Sequence, residues 1–564
     1  MPEIAQPRDK RYLQPTMIGP GARTPRWAIL LAMSLVLAEQ LWATETRIET
    51  YPVAPGAKLT GKISGTLQGQ KLPFTQERVW HADSPGQWFM EVVLARFAAD
   101  GPVRVDLSAN GETWGRASLR GLGCDLPVQN KAARLSFQLP GPGQYYLRAP
   151  ALADSNSTFT VVLWVDDRRH VEETSASARA ANVVNVTEHG VRPDERLDQT
   201  RLIQSLLDQG GTVCFPAGVY RVGTLHLASN TSVYLAPGAV VRALDREEAV
   251  GAEFIAIENA HNVRLFGQGT FDANSLSLHR RHNVHHVNIT SSQDVTLEDL
   301  LFKESNSWAI HIRKSDRVTA RNVKVFSGKD GFDPDASRDV LVDGAFIVSG
   351  DDAVAVKNRF PEAADGKTTE RVAVRNTIAC SMKSALKIGT ETRGPIRDVT
   401  FENCDVYDGE RGVVLYARDG GPIERATWTN LRLFIMNWPK EKESGTVFHL
   451  NIERRERPTP VRDCRIENVC ANWIYRSEFA GLPDAPLDGV RLQNITASVD
   501  PPKSGKPSLF EARGNVRLPI EGLTIDWQGN EDKWAGVVSG RGITISDVQT
   551  TVGQKASPVK GMGQ

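Results

Sequence analysis

Two acidic clusters near the middle of the chain have residue types and spacing that could do chemistry. They read Lys329-Asp330-Gly331-Phe332-Asp333-Pro334-Asp335 and Gly350-Asp351-Asp352-Ala353-Val354-Ala355-Val356-Lys357. Each lies between short apolar stretches of strand character, so the carboxylates recur at matching points of successive turns. Carboxylates gathered in this way serve two chemistries: polarising and protonating a glycosidic bond, or holding a hard cation such as Ca²⁺. Solvated turn aspartates are the third reading.

The elements that would position them begin near residue 182. Asn182-Val183-Val184-Asn185-Val186 reads as a strand. Residues 198–209 read as one amphipathic helix, with Leu202, Ile203, Leu206 and Leu207 on one face. The stretch from Gly210 to Tyr220 returns to strands. A loose repeat follows, with copies at Asp294-Val295, Arg317-Val318, Asp339-Val340, Arg371-Val372, Asp398-Val399 and Gly489-Val490. The first five valines are spaced 23, 22, 32 and 27 residues apart. Apolar residues alternate by two within each copy, which is strand periodicity. A period near 22 with occasional longer steps fits a stacked β-solenoid whose insertions leave as loops. The helix would cap its open N-terminal end.

Ahead of the solenoid, residues 45–165 alternate apolar and polar residues in short stretches broken by Gly and Pro, as a small antiparallel β-sandwich does. The polar stretch 166–181 reads as a linker, and residues 182–556 as the solenoid. At the N-terminus, Arg23 and Arg26 precede an eleven-residue apolar run, 28–38, followed by small residues. That is the layout of an export signal within residues 1–43, with Met17 as a possible start. The run is too short to span a bilayer comfortably. The expectation is a secreted or periplasmic protein with no stable membrane insertion after cleavage, and a monomer.

Lys+Arg and Asp+Glu number 67 each, so the net charge is zero and nothing points to nucleic acid as a partner. Six cysteines are too few for a disulfide framework, although Cys464/Cys470 and Cys380/Cys404 could pair. No Cys-x-x-Cys or His/Cys spacing fits zinc, so no transition metal and no cofactor is expected. His279, His282, His285 and His286 cluster, but the last two are adjacent and alternate faces on a strand.

Residues 182 to about 550 resemble glycoside hydrolase family 28, the polygalacturonase family of right-handed parallel β-helices. The resemblance rests on the Gly211-to-Gly218 opening, on Gly267-Gln268-Gly269-Thr270-Phe271-Asp272, and on the two acidic clusters. The clusters resemble the family's Asn-Thr-Asp and Gly-Asp-Asp motifs, with Asp330 and Asp351 21 residues apart. The resemblance implies an all-β fold, a parallel β-helix here preceded by the sandwich, and hydrolysis of a polysaccharide or oligosaccharide. It implies that Asp351 is the general acid and that Asp330 and Asp352 hold and deprotonate the attacking water. That inverting chemistry places acid and base roughly 6.5–9.5 Å apart. Crowding of the carboxylates would raise the pKa of one of them. Both Asp351 and Asp352 can serve only if the backbone bends near Ser349-Gly350, because neighbours on a flat strand face opposite ways.

The chain departs from the family at several motif positions. Gly328 and Lys329 stand in place of Asn and Thr. Ser384 occupies the place of a His, and Val414 and Tyr416 occupy the places of two cations that hold a galacturonate carboxylate. Lys383, Lys387 and Arg393 come from a neighbouring turn and could compensate. Candidate substrate-binding residues are His311, Lys357, Ser384, Lys387, Glu391, Arg393 and Tyr416, with Glu391 and Arg393 expected on a loop over the cleft. His311 could equally be a hydrogen-bonded wall residue. The departures favour pectin side structures or a neutral polysaccharide over plain homogalacturonan. Other readings remain open: a polysaccharide lyase using Lys or Arg as base, a dextranase-like hydrolase of family 49, and a binding protein whose catalysis has decayed.

Overall fold

The computed structural model of the chain describes residues 46–84, 87–179, 182–246, 249–361, 367–438, 445–552 and 555–556. The expected export signal lies outside the described residues. No helix among them is long and apolar enough to cross a membrane.

From Val183 onward the described residues wind into a parallel β-helix. Two of its strand ladders run together in a 24-stranded sheet, and the third forms a 12-stranded sheet. The repeat valines set the register: Val295, Val318, Val340, Val372 and Val399 are Cα partners on consecutive rungs. All five are buried in one continuous core. Burial of each such side chain stabilises the stack by about 1.5–3 kcal/mol. The 32-residue step is an insertion that leaves between the strands Val354–Asn358 and Thr369–Arg375.

The residue before each of these valines has a job of its own. Asp294, Arg317, Asp339, Arg371 and Asp398, and on the next rung Arg425 before Ala426, all turn the chain with φ between 52° and 55°. Their charges alternate down the stack, and Arg317–Asp294, Arg371–Asp339 and Arg425–Asp398 pair at 2.7 Å. Exposed pairs contribute little singly. Like charges on adjacent rungs would repel, so the alternation favours the observed register.

The end cap is the helix Thr200–Leu207, which buries Ile203, Leu206 and Leu207 against the first rungs. Leu202, expected on the same face, points to solvent. The third and fourth residues of that apolar set lie one turn on, while Leu202 falls at the margin of a helix only eight residues long.

The N-terminal region forms a seven-stranded and a five-stranded sheet around a shared core. It departs from a purely antiparallel sandwich in one pairing: Phe89–Ala99 and Ser157–Asp167 run parallel. Phe89–Ala99 is buried on both faces. Val93, Ala95 and Phe97 fill the sandwich core, whereas Met90, Val92 and Leu94 pack on Phe326, Phe346, Val348 and Ile378 of the solenoid. The sandwich is therefore packed along the flank of the solenoid.

The stretch read as a linker, 166–181, is ordered in its described part. Arg168–Ser177 is a helix capped by Asp167, whose side chain accepts from the Arg169 N–H. Asp166 is buried and accepts from Arg96 Nε at 2.6 Å, with Lys324 Nζ 3.6 Å away on the solenoid. Burial beside Arg96 pushes the Lys324 ammonium down to about 7.

Neither expected disulfide forms, and all six cysteines are free. Cys404 points into the solenoid core while Cys380 faces the sandwich. Cys464 and Cys470 share one strand, but the left-handed turn at Asn468 leaves the first buried and the second exposed.

Candidate active site

The 12-stranded sheet carries the candidate site. Its inward residues Ile310, Phe332, Val354, Leu386 and Val413 stack rung on rung in the core. Their neighbours in sequence therefore face outward, and His311 stands opposite Asp333, Asp335 opposite Lys357, and Lys387 opposite Val414. The acidic clusters fall in the turns that lead into this sheet. Residues 350–353 lie between the strands Phe346–Ser349 and Val354–Asn358, outside any strand. The bend is held by Ser349 Oγ and Ser381 Oγ, which donate to the Asp351 carbonyl at 3.0 and 2.6 Å. Rung-to-rung bonds from Gly331 N–H to the Asp352 carbonyl, and from Phe332 N–H to that of Ala353, align the two turns.

Asp330, Asp351 and Asp352 converge: one oxygen of each lies within 4.8 Å of one oxygen of the others. This is closer than the separation of roughly 6.5–9.5 Å typical of inverting carboxyl pairs. The three differ in their partners. Asp330 Oδ2 accepts from Lys357 Nζ at 2.7 Å, and Oδ1 from the Asp352 N–H at 3.3 Å. Asp352 Oδ2 accepts from Lys387 Nζ at 2.5 Å, and Oδ1 from the Ser384 N–H at 3.1 Å. Asp351 is instead held by an imidazole: His81 Nε2 of the sandwich lies 3.3 Å from its Oδ2.

Two ammonium groups thus pair with two of the three carboxylates that a bound cation would use. Burial opposes charge on Lys357 and Lys387, yet the facing carboxylates hold both above the ordinary lysine value. Hard-cation binding would require displacing them. Removing divalent ions with excess chelator is therefore expected to leave both activity and melting temperature unchanged. A melting temperature lowered by chelator and restored by Ca²⁺ would contradict this.

The carboxylate pushed well above its usual range is Asp333, by burial and by Asp330, against the pull of Lys357. It is fully buried beneath the trough, 2.7 Å from Lys357 Nζ.

Several expected substrate contacts have protein partners of their own. His311 is 3% exposed, 3.4 Å from Asp335, and packs edge-on against Trp308. Burial lowers its pKa. Lys357 is equally buried, lies between Asp330 and Asp333, and stacks on Trp308 at 3.8 Å. Ser384 is 1% exposed and acts through its backbone N–H. Glu391 belongs to the strand Ser384–Thr392, with Lys357 at 3.9 Å. Arg393 pairs with Glu456 at 2.6 Å. Lys383 faces Glu410 at 3.6 Å. Tyr416 is half-buried and donates to Glu453 at 2.9 Å. Lys383, Lys387 and Arg393, offered as stand-ins for the lost uronate cations, are each committed to a protein carboxylate.

The histidine cluster disperses. His279 stacks on Trp80 of the sandwich, and His282 bonds the Val250 carbonyl. His285 meets Trp308, and His286 is enclosed by Phe254 and Phe302, where burial drops its pKa to about 3. Among the described residues these four histidines do not gather into one ligand set.

Sequence reasoning did not single out His81, Trp308, Arg359 or Asp335 as a supporting set. Arg359 Nε donates to Asp335 at 2.6 Å, and together with His311 keeps that carboxyl down at about 2 despite burial. The departures Gly328 and Lys329 have a structural reason. A Cβ at Gly328 would lie 2.4 Å from Leu276 Cδ2 and 3.1 Å from the Trp80 carbonyl, and Lys329 pairs with Asp83 of the sandwich.

Residues 210–432 match the model of glycosyl hydrolases family 28. A probable polygalacturonase of Vitis vinifera is 24% identical over 378 residues, spanning 58% of this chain and 76% of the relative. Among solved structures, an exopolygalacturonase of Thermotoga maritima superposes with a TM-score of 0.51 at 17% identity, covering 63% of this chain and 96% of that one. At that identity the likeness concerns the fold. A family 28 exopolygalacturonase of Yersinia enterocolitica gives a TM-score of 0.47 at 14% identity, covering 82% and 98%. The resemblance to family 28 read from the acidic motifs holds, and the chain is a glycoside hydrolase.

Proposed function

We propose that the chain hydrolyses glycosidic bonds of a pectin-related polysaccharide, with Asp351 as general acid and Asp330 and Asp352 as the water-activating pair. The observation that carries this reading is the convergence of three carboxylates with unequal partners. Asp330 and Asp352 each accept from a lysine, while Asp351 is the outer member and part-exposed. A proton on Asp351 passes to the leaving glycosidic oxygen as its bond to the anomeric carbon breaks. Water bonds to that carbon and gives its proton to Asp330 or Asp352. The family resemblance favours inversion, and the anomeric configuration of the first product decides.

A lyase would need a neutral lysine or arginine as base. Lys357 and Lys387 are held charged by their carboxylates, which disfavours that reading. The substrate is a side structure of pectin or a neutral stretch, because Val414 and Tyr416 replace the cations and the neighbouring lysines are bound to protein carboxylates. Family 28 enzymes typically act outside the cell, and export through residues 1–43 fits that.

Incubation with a panel of plant and microbial polysaccharides tests the substrate. Release of saturated sugars from pectin side structures faster than from polygalacturonate is expected. Fast release from polygalacturonate alone would overturn the substrate reading, and an unsaturated, ultraviolet-absorbing product would overturn hydrolysis.

A further inference from the structure

We propose that the N-terminal sandwich completes the active site by supplying His81 as a positioning residue for Asp351. The proposal rests on the reading of Asp351 as the general acid. His81 Nδ1 accepts from the Asp83 N–H at 3.2 Å. A neutral ring held that way carries its proton on Nε2, which faces Asp351 Oδ2 at 3.3 Å. The N–H then engages one oxygen of Asp351 and leaves the other to present the acidic proton to the glycosidic oxygen. His81 neither gains nor loses a proton in that step. Its N–H steadies the carboxylate that Asp351 becomes.

The segment after the strand Thr75–Trp80 is built to reach this point. Trp80 stacks on His279 with ring centroids 5.8 Å apart. The Ala82 N–H donates to the Gly328 carbonyl at 2.8 Å, and Asp83 pairs with Lys329. A Cβ on Gly350 would meet the Trp80 carbonyl at 2.5 Å and His81 Cα at 2.8 Å. Gly328 and Lys329, two of the chain's departures from the family motif, are thus the seat of the sandwich segment. At a third departure, Ser384 stands where the resemblance puts a histidine. The imidazole beside the acid comes here from another domain, 270 residues upstream.

The charged groups that face His81 are few. Asp83 lies on its own segment and is neutralised by Lys329, and Asp351 lies across the trough. Lys383 and Glu410 line the same cavity of about 190 Å³, together with Trp88 and Trp438.

The test compares His81→Gln with His81→Leu in the full chain. The glutamine amide places a donor near the Nε2 position, whereas leucine fills the space without one. We expect His81→Leu to lose about 10²-fold in kcat with KM within about 3-fold. His81→Gln should recover at least about 10-fold of that loss. The alkaline limb of the pH profile moves up in the leucine variant only, because losing the donor disfavours the ionised acid. Equal kcat and equal pH profiles for the two variants would overturn the proposal. Should the leucine variant not fold, His81→Asn, whose donor falls short, takes its place with the same gap expected. Asp351→Asn run alongside separates the two claims. If it is inactive while the His81 variants match each other, only His81 loses its role. If it keeps wild-type kcat, the acid assignment itself falls.

Discussion

Asp351→Asn should give a folded protein whose kcat is lower by about 10²–10⁴-fold, with KM nearly unchanged. The amide matches the carboxyl in shape and can still accept from His81, so ground-state contacts persist. What it lacks is a proton acidic enough to pass to the departing oxygen. That loss appears only in the transition state, which is why it falls on kcat. A substrate with an intrinsically good leaving group, such as an aryl glycoside, needs little protonation. It should recover most of the lost rate in this variant. Asp330→Asn should behave differently, because its defect lies in activating water, and a better leaving group does not help there. The melting temperature of Asp351→Asn should equal that of the wild type, since Asp351 has no lysine to strand. A kcat within about 3-fold of wild type would remove Asp351 from the chemistry.

Much of this architecture is legible in the sequence because the solenoid repeats a local rule. Val295, Val318 and Val340 each report the same alternation, so three weak signals become one strong one. The paired acidic turns are legible for the same reason: the rung that stacks the valines also stacks Asp330 under Asp352. What escapes are contacts between residues remote in sequence. Residues 166–181 look like a linker because they are polar, but Asp166 is buried by pairing with Arg96, 70 residues earlier. Lys357 reads from the sequence as a candidate substrate contact. It is buried because three carboxylates converge on it from two rungs, Asp330 and Asp333 from one and Glu391 from another. His81 belongs to no motif at all. Its relation to Asp351 exists only once the sandwich has docked on the solenoid, a packing event that strand periodicity does not encode.

Lys357 is also the residue whose loss should cost the most stability. Its Nζ lies 2.7 Å from both Asp330 Oδ2 and Asp333 Oδ1, with Glu391 at 3.9 Å. Neither Asp333 oxygen has another hydrogen-bond partner. Lys357→Met keeps the length and the packing on Trp308 but strands two buried carboxylates. Breaking a buried pair from one side costs about 3–5 kcal/mol. The deficit should be read by hydrogen exchange in Phe332–Asp335 and Val354–Asn358, because a repeat stack opens locally before it unfolds as a whole. Its pH dependence has a definite sign. Asp333 already has a folded-state pKa above that of the unfolded chain. Such a group favours the folded state most below its unfolded value of about 3.9, and that favour is lost as pH rises through the folded value. Without Lys357 the upward shift grows. The variant's deficit should therefore be widest at neutral pH and narrow toward about pH 4, where Asp333 is protonated in the folded and the unfolded chain alike. Adding Asp333→Asn should recover part of the stability at neutral pH by removing one buried charge. A deficit equal at neutral and acid pH, and unrelieved by the second substitution, would show that Lys357 acts through packing and not as the counter-charge of the trough.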